Sequence, residues 1–289
     1  MNQKELGTTG VRLSEIGLGT SNYNAGAKTL RRAAVELGAF FIDTAESYDR
    51  EEVVGEAVRG MRDKFFTATK ISPAHFRRTD VRKAADESLR RLKMDYVDLY
   101  QLHEPSPTVP IDETMAAMED LVDAGKVRFI GVSNFSVRQM KGAQRAMRKY
   151  PIVSNQVRYS LVERTIEREL LPFCQENGIT ILAFSPLGKG ISNIRRKDTG
   201  NVLRKIAAET GKTAAQVALN WCIAKPGVIA LTKSNSFEHL VEDCSASGWR
   251  LSEEQLQRLS EGIGYRRRSA GEVFLRRMAR RMLERPGYW

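Results

Sequence analysis

Four residues of this 289-residue chain have side chains that suit one chemistry: Asp43, Tyr48, Lys70 and His103. Each stands at or just past the end of a short apolar run. "FFID" ends in Asp43 with Tyr48 in the following loop, "FTATK" ends in Lys70, and "LYQLH" ends in His103. Singly, each has a structural explanation: a helix cap, a loop aromatic, a strand-end charge, a hydrogen-bonded rim group. Together they form an acid–base set. A phenol ordinarily titrates near about pH 10, and a neighbouring ammonium favours its ionised form. Lys70 can supply that charge beside Tyr48. An ammonium in a partly buried mouth needs a counter-ion, and Asp43 is the available one. Tyr48 is then a general acid. His103 can donate a hydrogen bond to a carbonyl oxygen, orienting it and stabilising negative charge as it develops. Such a set serves a carbonyl compound, but only if a reductant is at hand.

A nicotinamide cofactor would supply a hydride, and the remaining run ends offer contacts for one. Ser133 and Asn134 in "GVSN" and Gln156 in "NQV" can hydrogen-bond a carboxamide, and Phe184 in "AFSP" offers a flat face to a ring. In "SPLGKG", Gly188 and Gly190 permit close backbone approach to a pyrophosphate and Lys189 adds charge. "TKSNSFEH" places Lys233, Ser234, Asn235 and Ser236 before a helix, where backbone N–H groups favour a phosphate such as a 2′-phosphate.

These groups need a scaffold that brings many run ends to one place. Eight strand-length apolar runs recur along the chain: "SEIGLGT", "AFFIDTA", "KFFTATKI", "YVDLYQLH", "FIGVSN", "IVSNQV", "ITILAFSP" and "VIALTKS". Each is followed by a helix-like segment such as "DVRKAADESLRRL" or "IDETMAAMEDLVDAG". Near-continuous apolarity suits parallel strands covered on both faces, and eight βα units close into an α/β (β/α)8 TIM barrel whose strand carboxyl ends face the active-site mouth. "KELGTTGVRLS" reads as an N-terminal β-hairpin plugging the barrel's lower end. "SEEQLQRLSEG" reads as a helix with a serine N-cap and an acidic first turn. A basic tail, 263–289, follows; within it "EVFLRRMARRML" has helical spacing of Phe274, Met278 and Met282, a C-terminal helical extension. No linker divides the chain, so one domain is expected over 1–289, with its core at about 3–262. "GLGTSN" begins like a dinucleotide fingerprint, but Asn22 stands in place of its last glycine and no acid follows at the expected distance. A Rossmann unit is excluded.

Composition bounds the setting. With 42% hydrophobic and 28% charged residues the chain can bury a large core. No apolar run approaches the roughly 20 residues that span a bilayer, and no signal-peptide core stands at the start, so a cytoplasmic protein without a membrane partner is expected. Cys174, Cys222 and Cys244 form no CxxC pair and read as buried, reduced thiols, with no metal site. The net charge of +11 is concentrated at the end, where eight arginines between Arg266 and Arg285 face only Glu272 and Glu284. Aromatic residues are not interleaved there as a stacking platform, and no nucleic-acid partner is expected.

The motifs "IGLGT", "FIDTAESY", "ATK", "DLYQLH", "GKVRFIGVSNF", "NQV", "SPLG" and "TAAQVALNW" occur in an order that resembles the aldo-keto reductase family from about residue 3 to 262. The resemblance implies a (β/α)8 barrel that reduces small aldehydes or ketones with NADPH, or with NADH. It implies a catalytic tetrad of Asp43, Tyr48, Lys70 and His103, with Tyr48 as proton donor. It also implies cofactor contacts at Gly19, Thr20, Ser133, Asn134, Gln156, Phe184, Ser185, Leu187, Gly188, Lys233, Ser234 and Glu242. His239 stands where many members place an arginine against the 2′-phosphate, and Asp243 where an adenine-contacting asparagine is common. Ser21 replaces a tryptophan that walls the substrate pocket in many members, which implies a wider pocket. The loop between "SPLGKG" and "NVLRKI" reads as short, and Tyr288 and Trp289 lie in the segment that closes the pocket in the family. A monomer is expected. Some members of the family are regulatory barrels that bind cofactor with little turnover, and that is the alternative reading.

Overall fold

The computed structural model describes residues 1–265. Its strands are β1 (Gln3–Glu5), β2 (Arg12–Ser14), β3 (Ile16–Gly19), β4 (Phe41–Asp43), β5 (Phe66–Ile71), β6 (Val97–Leu102), β7 (Val127–Ser133), β8 (Ile152–Arg158), β9 (Thr180–Phe184) and β10 (Val228–Thr232). β3 to β10 form a closed parallel barrel in chain order, and β10 pairs with β3 to seal it. Every apolar run read as a strand is one. β1 and β2 pair antiparallel, as expected for the hairpin.

Alternation along the strands sorts the barrel's contents into layers. Phe41, Phe66, Ala68, Leu99, Leu182, Ile229 and Leu231 form one buried interior cluster together with Leu6 and Leu13 of the hairpin. The hairpin therefore closes the floor. It is held there by Lys4, whose ammonium donates to the carbonyls of Lys225 at 3.0 Å and Val228 at 2.7 Å and to that of Ile223, and by the Gly7 N–H, which donates to Thr180 Oγ1 at 2.7 Å. Gly17 leaves room for this layer: a Cβ there would lie 2.7 Å from Phe41 Cδ1 and 2.8 Å from Leu231 Cδ2. Two residues beyond Phe41, Ala68 and Leu99 come Asp43, Lys70 and Gln101. The same pleat that fills the core thus delivers polar groups to the mouth.

A second cluster lies between the sheet and its helices, joining for example Ile42, Tyr100, Val132 and Ile181 to Leu30, Val54, Met115 and Trp221. The helices start and stop where their chemistry dictates. Ser136, Thr213 and Ser252 cap their helices through reciprocal bonds with Gln139, Gln216 and Gln255. The expected helix after β10 is Glu253–Gly262, capped by Ser252 as read from the sequence. A five-residue helix, Ile191–Arg195, occupies the loop after "SPLG". Cys174, Cys222 and Cys244 are buried and unpaired, and burial pushes the Cys174 and Cys244 thiols up to about 12. No helix among the described residues is long and apolar enough to cross a membrane. The expected tail helix, Tyr288 and Trp289 lie outside the described residues.

Candidate active site

The strand ends converge as the sequence implies. Lys70, fully buried, donates to Asp43 Oδ2 at 2.6 Å and to the Thr44 carbonyl at 2.8 Å. Burial opposes its charge, but the Asp43 carboxylate and the Tyr48 phenol outweigh that effect, and its pKa is raised. Its ammonium lies 4.8 Å from the centre of the Tyr48 ring. Tyr48 sits half-buried on a 3₁₀ turn, Glu46–Tyr48, that begins three residues after the end of β4. Its hydroxyl is 3.4 Å from His103 Nε2, and Ser47 Oγ is 3.4 Å from His103 Nδ1. Two consecutive residues of the turn thus bracket the imidazole.

The second oxygen of Asp43 is also occupied. Gln156 Nε2 donates to Oδ1 at 2.8 Å and Gln101 Nε2 at 3.1 Å. A carboxylate removed from water is stable only with its lone pairs engaged, and here three donors engage them. Gln101 was not among the residues picked out by sequence. Its signal was present: a polar residue two before His103, in a strand whose Leu99 faces the interior.

The neighbouring rim carries amides and hydroxyls. Ser133 Oγ donates to the Gln156 carbonyl at 2.9 Å, and Asn134 Nδ2 reaches Ser133 Oγ at 2.9 Å and the His103 carbonyl at 3.1 Å. Phe184 is paired in register with Arg158, two residues past Gln156. Asn134, Ser185 and Lys189 adopt left-handed backbone, with φ of 63°, 52° and 67°, a conformation non-glycine residues rarely adopt and one that recurs at ligand sites. Thr20 ties Gly19 at the end of β3 to the site: its N–H and hydroxyl both donate to the Asp43 carbonyl, at 3.0 and 3.1 Å. Leu187 and Gly188 follow on the same loop as Ser185, and Gly188 packs on Val162, where a Cβ would come within 2.7 Å.

The other end of the rim lies past β10. Lys233 is exposed, Ser234 accepts from the Ser236 N–H at 3.1 Å, and Ser236 caps the helix Phe237–Cys244 through the His239 N–H at 3.3 Å. His239 is exposed and Glu242 half-buried on that helix. Asp243 turns inward instead. It is 5% exposed, its carboxylate accepts from the Thr232 hydroxyl, and burial raises its pKa to about 6. The Asn24 N–H bonds Asn235 Oδ1 at 3.0 Å, joining the loop after β3 to the loop after β10.

Known proteins resemble this chain in sequence and fold. Residues 6–263 match the Aldo/keto reductase family. Methylglyoxal reductase YeaE of Escherichia coli K12 is 37% identical over 272 residues, which cover 90% of this chain and 95% of the relative. The thermostable aldo-keto reductase Tm1743, solved with the inhibitor epalrestat, is 38% identical, with a TM-score of 0.85 over 90% of this chain and 99% of its own. An aldo-keto reductase from Klebsiella pneumoniae, solved with NADPH, is 36% identical, with a TM-score of 0.83 over 93% and 98% of the two chains. With likeness of this extent along sequence and fold alike, the chain belongs to the aldo/keto reductase family.

Proposed function

We propose that this protein reduces aldehyde or ketone groups of small molecules to alcohols, with NADPH as reductant and Tyr48 as proton donor. One observation carries the reading: a fully buried lysine ammonium, neutralised on one side by Asp43, faces the ring of a tyrosine whose hydroxyl lies 3.4 Å from His103 Nε2. An ammonium in that place stands beside the charge uncovered as a proton passes from Tyr48 to an oxygen. His103 Nε2 lies beside the hydroxyl, where a donor would orient the same oxygen.

The donor set fits a nicotinamide cofactor. Asn134 presents a primary amide beside the Ser133 hydroxyl, and the Gln156 amide lies on the neighbouring strand beside Asp43; a carboxamide needs such a mixture of donors and acceptors. Those three would hold the carboxamide, Phe184 would stack against the ring, Gly188 and Lys189 would meet the pyrophosphate, and Lys233 with Ser234 the 2′-phosphate. Bound there, NADPH supplies the hydride. Lys233 and the NADPH-bound relative favour NADPH, and the likeness to YeaE makes 2-oxoaldehydes the leading substrates to try.

The test is a fluorescence titration with NADPH and NADH, followed by addition of methylglyoxal or 4-nitrobenzaldehyde while nicotinamide absorbance is watched. Binding followed by loss of the reduced band supports the reading. Tight binding with no oxidation favours a regulatory barrel, and absence of binding removes the site.

A further inference from the structure

Backbone pairing between β4 and β5 stops early. Its last register pair is Asp43 with Ala68, and one further bond runs from the Thr44 N–H to the Ala68 carbonyl at 2.9 Å. Lys70 lies beyond that point on β5, and Tyr48 lies beyond it on the turn that follows β4. No ladder bond fixes one relative to the other.

Two glutamates span the gap. Glu46, at the start of the turn, accepts from the Ser72 N–H at 2.5 Å and contacts His75 Nδ1 at 3.0 Å with the same oxygen. Glu51, three residues after Tyr48, accepts from the Thr69 hydroxyl at 2.6 Å. Thr69 and Ser72 flank Lys70 in the chain. The turn of the tyrosine is thus fastened to the strand of the lysine on both sides of that lysine.

The second fastening is deeply set. Glu51 is 1% exposed and Thr69 is fully buried. A carboxylate so placed needs a counter-charge, and Arg91 supplies it through Nε at 2.7 Å and NH2 at 2.6 Å. Gly55 lets the helix Glu51–Val58 come down against the helix Arg78–Leu92 that carries Arg91: a Cβ at Gly55 would lie 2.1 Å from the Leu92 carbonyl oxygen. Two buried hydrogen-bonding partners, rather than flexible surface groups, therefore define where the turn ends.

We propose that Glu46 and Glu51 are positioning residues for Tyr48, setting the distance between its phenol and the Lys70 ammonium. The inference rests on the reading of Tyr48 as proton donor. Neither glutamate contacts the reacting atoms; each acts through the turn. Displacement of a catalytic group by about 1 Å can cost about 100-fold in rate, so loss of a fastening acts on turnover before it acts on binding.

The experiment compares wild type with Thr69→Val, Thr69→Ser, Glu46→Ala and Glu46→Gln. It reads kcat with methylglyoxal and 4-nitrobenzaldehyde, NADPH affinity by fluorescence, the solvent deuterium isotope effect on kcat, and the melting temperature. Thr69→Val and Glu46→Ala are expected to lower kcat about 5- to 50-fold, to leave NADPH affinity within about twofold, and to enlarge the solvent isotope effect as proton delivery slows. Thr69→Ser keeps the hydroxyl and Glu46→Gln keeps an acceptor oxygen for the Ser72 N–H, so both should hold kcat near the wild-type value. Folded variants that melt earlier yet keep the wild-type kcat and isotope effect would overturn the inference while leaving the reductase reading intact. A wild type that oxidises no NADPH with either aldehyde removes that reading, and the inference with it.

Discussion

Tyr48 and His103 meet edge to face, with ring centroids 5.5 Å apart at 78° and the phenol oxygen 3.4 Å from Nε2. The contact sets the phenol hydroxyl and the imidazole Nε2 side by side. Tyr48→Phe keeps the ring and its edge contact while deleting the proton. Turnover is expected to fall by about 100-fold or more, with NADPH affinity within a few-fold, as read by steady-state kinetics beside a fluorescence titration. Unaltered turnover would assign the proton to another group.

Lys70→Met leaves the Asp43 carboxylate buried with only the Gln101 and Gln156 amides. Removing one partner of a buried pair costs about 3–5 kcal/mol, so urea unfolding should report a loss of that order. Adding Asp43→Asn to Lys70→Met should recover part of it. The raised Lys70 pKa means that the pair's contribution is complete below the ordinary lysine value of 10.5 and is lost only as pH rises through the higher folded value. Between pH 6 and pH 9 this pair should add no slope to stability.

Asp243 behaves in the opposite way across neutral pH. Unfolded, it loses its proton near 3.8; folded, burial holds the proton to about 6, against the weaker opposing pull of the Thr232 hydroxyl. The folded state binds more protons between those values, so stability falls as pH rises through them. Asp243→Asn can still accept from Thr232 but does not titrate. Its stability relative to wild type should rise by up to about 3 kcal/mol between pH 4 and pH 7, measured by urea unfolding at both. A constant difference would mean that Asp243 reaches water.

His239 is exposed on the helix that follows Lys233 and Ser234. His239→Arg adds a permanent charge with a fork suited to phosphate. The ratio of kcat/KM for NADPH over NADH should rise about tenfold, the worth of one charge-assisted contact. A ratio that stays put would place the adenosine end elsewhere.

Most of the barrel was legible because a strand covered on both faces leaves a continuous apolar run, and eight of these punctuate the chain. Asp43, Lys70 and His103 were legible for a related reason: a charged or polar group that ends an apolar run has to be paid for by some neighbour. Gln101 was harder to pick out, since an amide inside a strand looks neutral until Asp43 is known to face it. Glu51 was harder still, because its partners Thr69 and Arg91 lie 18 and 40 residues away and meet only after the helices pack. Asp243 sits in a helix whose surface positions also suit acids, so its inward turn toward Thr232 leaves no mark in the local pattern.

The hairpin that closes the floor sets an order of events during synthesis. Its anchors, Thr180 and the carbonyls of Ile223, Lys225 and Val228, lie between 173 and 224 residues downstream. Residues 3–14 are therefore made long before their partners and are among the last to find their places, and β3 waits just as long for β10. At the common pace of about 5–20 residues per second, the nascent chain carries Leu6 and Leu13 unsheltered for on the order of ten seconds or more. Contacts so distant in sequence also slow closure itself. Until the later strands are made, the apolar side chains of the hairpin have no floor to close.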